Sequence, residues 1–233
     1  QAGTPANTEA DAGVDAKISL STSVNLDLTL NPDFSQVDVD QQVTNLSRFE
    51  LFFPERRQFF LENSDIFASL GTDGLRPFFS RRIGLKNKVR VGARLSGKLG
   101  EKWRIGLMNM QTGSSDTEFG ANYSVATVQK QVFSRSNINF FVVNKEVTED
   151  YAEQDTVLAK YNRVAGVDFN LASADNRWTG KMFYHQVFSP NNRKQDFTTF
   201  GEVSYKTQQF SAAWSYAYVG SGYDAEVGFV LRK

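Results

Sequence analysis

The charged side chains between residues 55 and 82 are the group in this sequence best suited to chemistry. Seven of them make up the candidate ligand-binding site: Glu55, Arg56, Arg57, Glu62, Asp65, Arg81 and Arg82. An arginine guanidinium offers paired N–H donors that match the oxygens of a carboxylate, a phosphate or an anionic sugar. The same residue types also form structural ion-pair networks. Both interpretations stay open, and we favour a network that fixes this segment to the rest of the protein.

A single histidine limits the catalytic chemistry. The chain has one His and no Cys, which excludes a Cys nucleophile, a zinc–thiolate site and a disulfide framework. His185 shares strand parity with Thr179 and Lys181, so we expect these side chains to face the same way. A Ser-His-Asp site would also need a Ser and an Asp beside the histidine, and the sequence has no G-x-S-x-G elbow. Paired carboxylates for glycoside hydrolysis stay open, but we predict no catalytic residue and favour a protein that is not an enzyme.

A group of oxygen ligands that could bind a cation lies between residues 31 and 40. Asn31, Asp33, Asp38 and Asp40 could bind Ca²⁺, but their spacing does not match an EF-hand loop. A turn followed by an acidic strand is the favoured interpretation. The chain also lacks the glycine-rich loops that hold nucleotide phosphates, so we predict neither a metal site nor a cofactor.

The overall charge and hydropathy exclude two further classes. The 26 basic and 26 acidic residues balance, whereas nucleic-acid-binding proteins carry an excess of Lys and Arg. The chain has no run of 18 apolar residues, so no transmembrane helix is predicted. Strands that cross a bilayer alternate between apolar and polar residues, and such strands are compatible with this composition.

Alternation of apolar and polar residues dominates the chain. Residues 1–15 are small and polar, which is typical of a disordered tail or linker. From Ile18 to Leu30 the alternation is unbroken, which predicts one long strand. Similar runs follow from residue 89 onward and are separated by turn-type residues. We therefore expect about ten strands, joined mostly as up-and-down hairpins.

Strand length and aromatic residues favour a barrel over a soluble sheet. Aromatic side chains recur at the ends of the predicted strands: Trp103, Tyr123, Phe133, Trp178, Phe188 and Tyr218. Outer-membrane barrels carry aromatic girdles at both membrane interfaces. The predicted fold is an all-β, antiparallel, up-and-down transmembrane β-barrel, whole or partial, over residues 16–233. A large soluble β-protein with a structural role is the alternative.

Residues 31–84 interrupt the alternation. Eight of the 20 Phe residues lie between Phe49 and Phe79, among many charged side chains. Apolar spacing is nearly helical over residues 45–61 and Pro54 interrupts it, which predicts two short helical turns. Clustered Phe side chains are costly to expose to water, and charged side chains are costly to bury without a partner. We therefore expect a plug-like segment, folded inward against a polar wall.

Several motifs resemble one bacterial family. They are LDLTLNPDFSQV at residues 26–37, FFPERRQFFLE at 52–62 and FSRRIG at 79–84, followed by WRIG at 103–106, NLASADNRWTG at 170–180 and EVGFV at 226–230. These motifs resemble DUF5916, a family of unknown function made up of barrel-type outer-membrane proteins common in Bacteroidetes. Many of its members carry a family-9-like carbohydrate-binding domain before the barrel, and we expect none in the residues before Ile18.

The resemblance implies a location in the outer membrane of a Gram-negative bacterium, with outer-membrane lipid as a partner. The chain ends at Lys233 in a strand-like run, where the family continues with further strands, so we expect a fragment of a larger barrel. The predicted role is passage, docking or export of a solute or partner at a plugged barrel. A glycan or another envelope protein is the expected partner, and nucleic acid is not. A surface protein that binds or hydrolyses carbohydrate is the alternative.

Overall fold

The computed structural model describes residues 12–32, 52–85, 87–115, 118–148, 160–190 and 194–231. Ten of its strands form one antiparallel sheet. They are β1 (Val14–Ser19), β2 (Val24–Leu30), β4 (Val89–Leu99), β5 (Trp103–Thr112), β6 (Ala121–Val132), β7 (Ser136–Val147), β8 (Tyr161–Ala172), β9 (Trp178–Phe188), β10 (Phe197–Lys206) and β11 (Ser211–Val219). Each strand pairs with its neighbours in chain order, from β1 to β11. Two short strands, β3 (Leu75–Arg76) and β12 (Phe229–Val230), pair separately.

The all-β, antiparallel arrangement of ten strands is confirmed. Period-two alternation specifies such strands because successive side chains point to opposite faces of a sheet. The sheet is open in the part of the chain that the structure describes, since β1 pairs only with β2 and β11 only with β10. Neither helix in the described ranges has the length or the apolar character to cross a bilayer.

The prediction of one long strand from Ile18 to Leu30 is wrong. The chain reverses between β1 and β2, where the N–H groups of Leu20 and Ser21 donate to the carbonyl of Val24. The Ser21 hydroxyl also accepts from the N–H of Ser23, as serine-rich turns commonly do. The turn preserves the alternation of residue types, so periodicity alone does not reveal it. β1 begins at Val14, inside the range predicted as a tail, and residues 1–11 lie outside the described residues.

The two faces of the sheet differ in what covers them. We call the face that contacts residues 52–85 the inner face and the opposite face the outer face. Residues 52–85, the inserted segment, contain α1 (Gln58–Leu61) and α2 (Asp65–Ala68). α1 lies after Pro54, within the range where helical turns are predicted, and α2 lies beyond that range. Of the helical spacing predicted before Pro54, residues 45–51 lie outside the described residues, as do Asp33, Asp38 and Asp40.

The inserted segment packs on the middle of the inner face. Ile66 and Phe67 of α2 are buried against the side chains of β5 and β6, including Met108 and Val125. A Cβ atom on Gly106 would lie only 2.8 Å from the Phe67 ring, so the absence of a side chain there allows α2 to approach the sheet. Residues 220–231 complete the core, because Tyr223 and Phe229 are fully buried and β12 pairs with β3 of the segment.

Candidate functional site

Ionisable side chains are buried between the inserted segment and the inner face of the sheet. Arg94, Asp27, Asp168 and His185 are each at most 5% exposed. A buried charge is costly unless it is paired and hydrogen-bonded. The partners of these four residues therefore define the site, which we call the ionic layer.

Arg94 joins the first strands of the sheet to α1. It lies directly opposite Asp27 in the register of β2 and β4, and its Nη2 and Nε donate to Asp27 Oδ2 at 2.6 and 3.1 Å. Its Nη1 donates to the backbone carbonyl of Phe59, and its guanidinium carbon lies 5.0 Å from the centre of the Phe59 ring. One arginine thus neutralises a buried carboxylate and fixes the inserted segment to the sheet.

Asp168 forms the second attachment. Its Oδ2 accepts from the N–H of Gly71 at 2.7 Å and lies 3.6 Å from Lys181 Nζ. Lys181 Nζ in turn donates to the Ser69 carbonyl at 2.6 Å. Asp168 and Lys181 of the sheet therefore bind the Gly71 N–H and the Ser69 carbonyl of the inserted segment.

His185 completes the surroundings of Asp168. His185 Nε2 and Asp168 Oδ1 are 2.7 Å apart, and the imidazole is stacked on Phe183 and meets Phe141 edge-on. His185 and Lys181 lie on one face of β9, as their parity predicts. No serine among the described residues hydrogen-bonds to the imidazole, and its Nδ1 is buried without a described partner. This Asp–His pair therefore lacks the nucleophile that a catalytic triad needs.

The predicted site residues Glu55 and Arg57 form an attachment within the inserted segment. Arg57 Nη2 and Nε donate to the two carboxylate oxygens of Glu55 at 2.7 and 2.9 Å. The same guanidinium donates to the carbonyls of Ser80 and Ile83, and the Ser80 hydroxyl donates to Glu55 at 2.6 Å. Burial alone would raise the pKa of Glu55, but its hydrogen bonds and its attraction to Arg57 hold that pKa below the ordinary 4.5.

The other predicted residues are dispersed rather than gathered in one pocket. Arg81 donates to the Pro54 carbonyl at 2.9 Å, and Arg82 to the Gly228 carbonyl at 3.0 Å. Arg56 is exposed. Two carboxylates instead bridge to the sheet: Asp65 pairs with Arg104 and Glu62 with Lys17, each at 2.6 Å. This geometry is that of a network that pins the segment, and it does not present paired arginines to a ligand.

Sequence reasoning did not single out Asp27, Arg94, Asp168 or Lys181 as site residues. These four charged residues alternate with apolar residues along their strands, so their side chains point to the inner face. That alternation was the signal available in the sequence. The described ranges contain no group of three His, Cys, Asp or Glu residues that could hold a metal ion.

Replacing Asp168 with Asn tests the second attachment. The amide keeps the shape of the side chain but removes the charge that faces Lys181. We expect the free energy of unfolding to fall by about 1–3 kcal/mol and amide exchange at Gly71 to increase. Asp73→Asn is the matched control, because the Asp73 side chain is fully exposed and its pair with Arg76 contributes little. Equal effects of the two substitutions on unfolding would contradict the attachment.

The Glu55–Arg57 pair predicts a local pH dependence. Because the pKa of Glu55 is lowered in the folded state, the pair stabilises fully above pH 4.5 and less as pH falls through that lowered pKa. The N–H of Arg57 donates to Glu55 Oε1, so its protection from hydrogen exchange should decrease in acid. Glu55→Gln should lower this protection at neutral pH and remove the acid step. An acid step of the same size in Glu55→Gln would overturn the assignment.

The comparisons with known proteins agree with the motifs in the first part of the chain. No curated protein and no solved structure matches the chain. The family model described as "Domain of unknown function (DUF5916)" matches residues 1–97. The similar motifs at 103–106, 170–180 and 226–230 lie beyond the matched range. The resemblance to DUF5916 is thus confirmed for residues 1–97, which include β1, β2, the inserted segment and most of β4.

Proposed function

We propose that this chain forms the wall of an outer-membrane β-barrel whose lumen is narrowed by the inserted segment. One observation carries the proposal: apolar side chains are exposed on the outer face, whereas charged and polar side chains are buried on the inner face. The large outer-face residues that are more than a third exposed include Leu28, Leu30, Val91, Trp103, Leu107, Val128, Phe140, Val142, Trp178, Met182, Tyr184, Phe188, Trp214 and Tyr216.

A soluble sheet differs from this one in its exposed face, which is polar there and apolar here, while the buried face here combines an apolar core with charged and polar side chains. Its apolar face packs on a core and its polar face is wet, and a soluble monomer rarely exposes an apolar patch larger than a few hundred Å². Here the buried side includes Arg94, Asp168, His185, Thr127 and Asn139. A lipid-facing exterior around a polar interior accounts for both faces at once.

Strand length supports the same conclusion. The strands from β4 to β10 have 10 to 12 residues each. A tilted strand needs about 9–11 residues to cross the hydrocarbon core of a bilayer, whereas strands of globular proteins usually have about 5–6.

The apolar band of the outer face has a different border at each end. At one end, polar side chains of neighbouring strands hydrogen-bond to one another, as Asn109 does to Asn122 and Ser124, and Arg163 to Asn144. At the other end lie aromatic residues. Trp103 has Lys130 Nζ 4.9 Å from its ring centre, and Trp178 packs on Tyr205. Aromatic and Lys side chains of this kind are favoured at membrane interfaces.

The connections between strands favour one orientation. At the aromatic end the strands are joined by short turns: 20–23, 100–102, 133–135, 173–177 and 207–210. At the opposite end the connections are longer, including 113–120, 148–160 and 189–196. Bacterial barrels place their short turns on the periplasmic side and their longer loops outside the cell. We therefore place the short-turn end in the periplasm.

Two features of the fold acquire a role in this proposal. The edge strands β1 and β11 expose unpaired backbone groups that cannot remain unsatisfied in lipid, so the proposal requires them to pair with each other or with further strands. The ionic layer would hold the inserted segment inside the wall. Passage, docking or export of a solute or partner would then depend on how firmly the segment is attached.

Paired arginine substitutions on one strand test the lipid exposure of the outer face. Leu107 lies within the apolar band of β5, and Gln111 lies on the same face in the polar border. We expect Leu107→Arg to destabilise the protein refolded in phospholipid vesicles by about 2–4 kcal/mol and Gln111→Arg by about 0–1 kcal/mol. Denaturant titration in vesicles measures both. If the two variants are equally stable, β5 does not face lipid.

A further inference from the structure

A polar cleft of about 340 Å³ opens on the inner face at the short-turn end. Four cationic side chains line it, Lys98, Lys102, Arg104 and Arg135, with Glu101 as its carboxylate. None of the four belongs to the site predicted from the sequence. The cleft and the proposed barrel are independent conclusions, because a binding site on this face does not require a membrane.

Strand register creates the basic character of the cleft. Lys98 and Arg104 lie directly opposite each other on β4 and β5, and Gln129 of β6 lies opposite Arg104. The side chains of all three residues point to the inner face. Arg104 pairs with Asp65, but Lys98 and Lys102 have no ion-pair partner within the described residues. Cations therefore outnumber the single lining carboxylate, Glu101, and an anion would relieve the repulsion between them.

A second cleft of about 310 Å³ adjoins the first and shares Lys98 and Arg104 with it. Its other polar lining is uncharged and includes Ser23, Asn25 and Ser96. Hydroxyl and amide groups of this kind donate to and accept from the hydroxyls of a ligand. The two clefts together therefore combine a cationic part with a part suited to neutral hydrogen bonding.

Ser96 supplies an independent indication of a ligand. Its side chain is 3% exposed, and its Oγ has no hydrogen-bond partner in the described part of the chain. A buried hydroxyl without a partner is costly, so such a group requires an explanation. Ser96 lines the uncharged cleft beside Lys98, where a ligand hydroxyl would satisfy it.

We propose that the two clefts bind one small phosphorylated, hydroxyl-bearing solute such as a sugar phosphate. The phosphate lies among Lys98, Lys102 and Arg135, and a hydroxyl of the solute bonds to Ser96. A phosphate monoester carries about two negative charges at neutral pH, which suits this group of cations better than a single carboxylate does. The combined space is within the range of small-molecule sites, about 300–1,000 Å³.

Isothermal titration calorimetry with glucose 6-phosphate, inorganic phosphate and glucose tests the proposal on the purified protein. We expect glucose 6-phosphate to bind, inorganic phosphate to bind more weakly, and glucose to give no measurable binding. Affinity should fall as salt is added, because the exposed lysines are screened. Absence of glucose 6-phosphate binding, or equal affinity for inorganic phosphate, overturns the proposal.

Two variants assign the binding to these clefts. The double substitution Lys98→Glu with Lys102→Glu should weaken glucose 6-phosphate at least about tenfold, because it reverses the charge around the phosphate. Lys194→Glu, in the connection between β9 and β10 at the opposite end, should leave the affinity unchanged. Unchanged affinity in the double variant, or an equal loss in Lys194→Glu, overturns the site.

Ser96→Ala separates a binding role from a structural one. Removing an unpaired buried hydroxyl should leave the free energy of unfolding unchanged or raise it. We expect the same variant to weaken glucose 6-phosphate about threefold to tenfold and to leave the affinity for inorganic phosphate unchanged. If glucose 6-phosphate affinity is unaffected, Ser96 does not contact the solute and the two-part site is wrong.

Discussion

The fold depends on keeping charges paired on the buried face of its sheet. Arg94 and Asp168 have essentially no contact with solvent, and each has partners on the sheet and one backbone partner in the inserted segment. The Phe59 carbonyl meets Arg94, and the Gly71 N–H meets Asp168. Losing the segment would leave these charges in an apolar space without their full set of partners. The sheet and the segment therefore depend on each other.

The same constraint explains why the outer face is apolar. Because successive side chains of a strand point to opposite faces, the residues that alternate with these charges point outward, and large apolar side chains such as Leu107, Trp103 and Trp214 are exposed there. The outer face has no covering element among the described residues. The apolar band of the outer face ends at a polar border near Asn109 and at an aromatic border near Trp103. A band with such borders suits contact with lipid.

The sequence predicted the strands from β4 onward well, because alternation is a local property of the chain. It missed the reversal at Leu20–Ser23, where a turn preserves the parity of the flanking residues. It did not anticipate the pairs of the ionic layer that join distant parts of the chain. Asp168 meets Gly71 across 97 positions, and Lys98 meets Arg104 through strand register. Such partners depend on register and on the docking of the segment, neither of which can be read from spacing. Glu55 and Arg57, which pair in the structure, were both among the charged residues singled out within 55–82, because they are near neighbours in the sequence.

Tryptophan fluorescence in lipid tests the central claim most directly. The chain has three Trp residues, and Trp103, Trp178 and Trp214 all lie exposed on the outer face. Trp178 pairs with Tyr205 of β10, and Trp214 pairs with Val203 of the same strand. Trp214 therefore lies two residues, or about 7 Å along the strand, further from the short turns than Trp178 does. In vesicles of phosphatidylcholine brominated on its acyl chains, single-Trp variants should all be quenched, and bromine nearer the bilayer centre should quench Trp214 more than Trp178. Quenching by aqueous iodide but not by brominated lipid would contradict a membrane-embedded outer face.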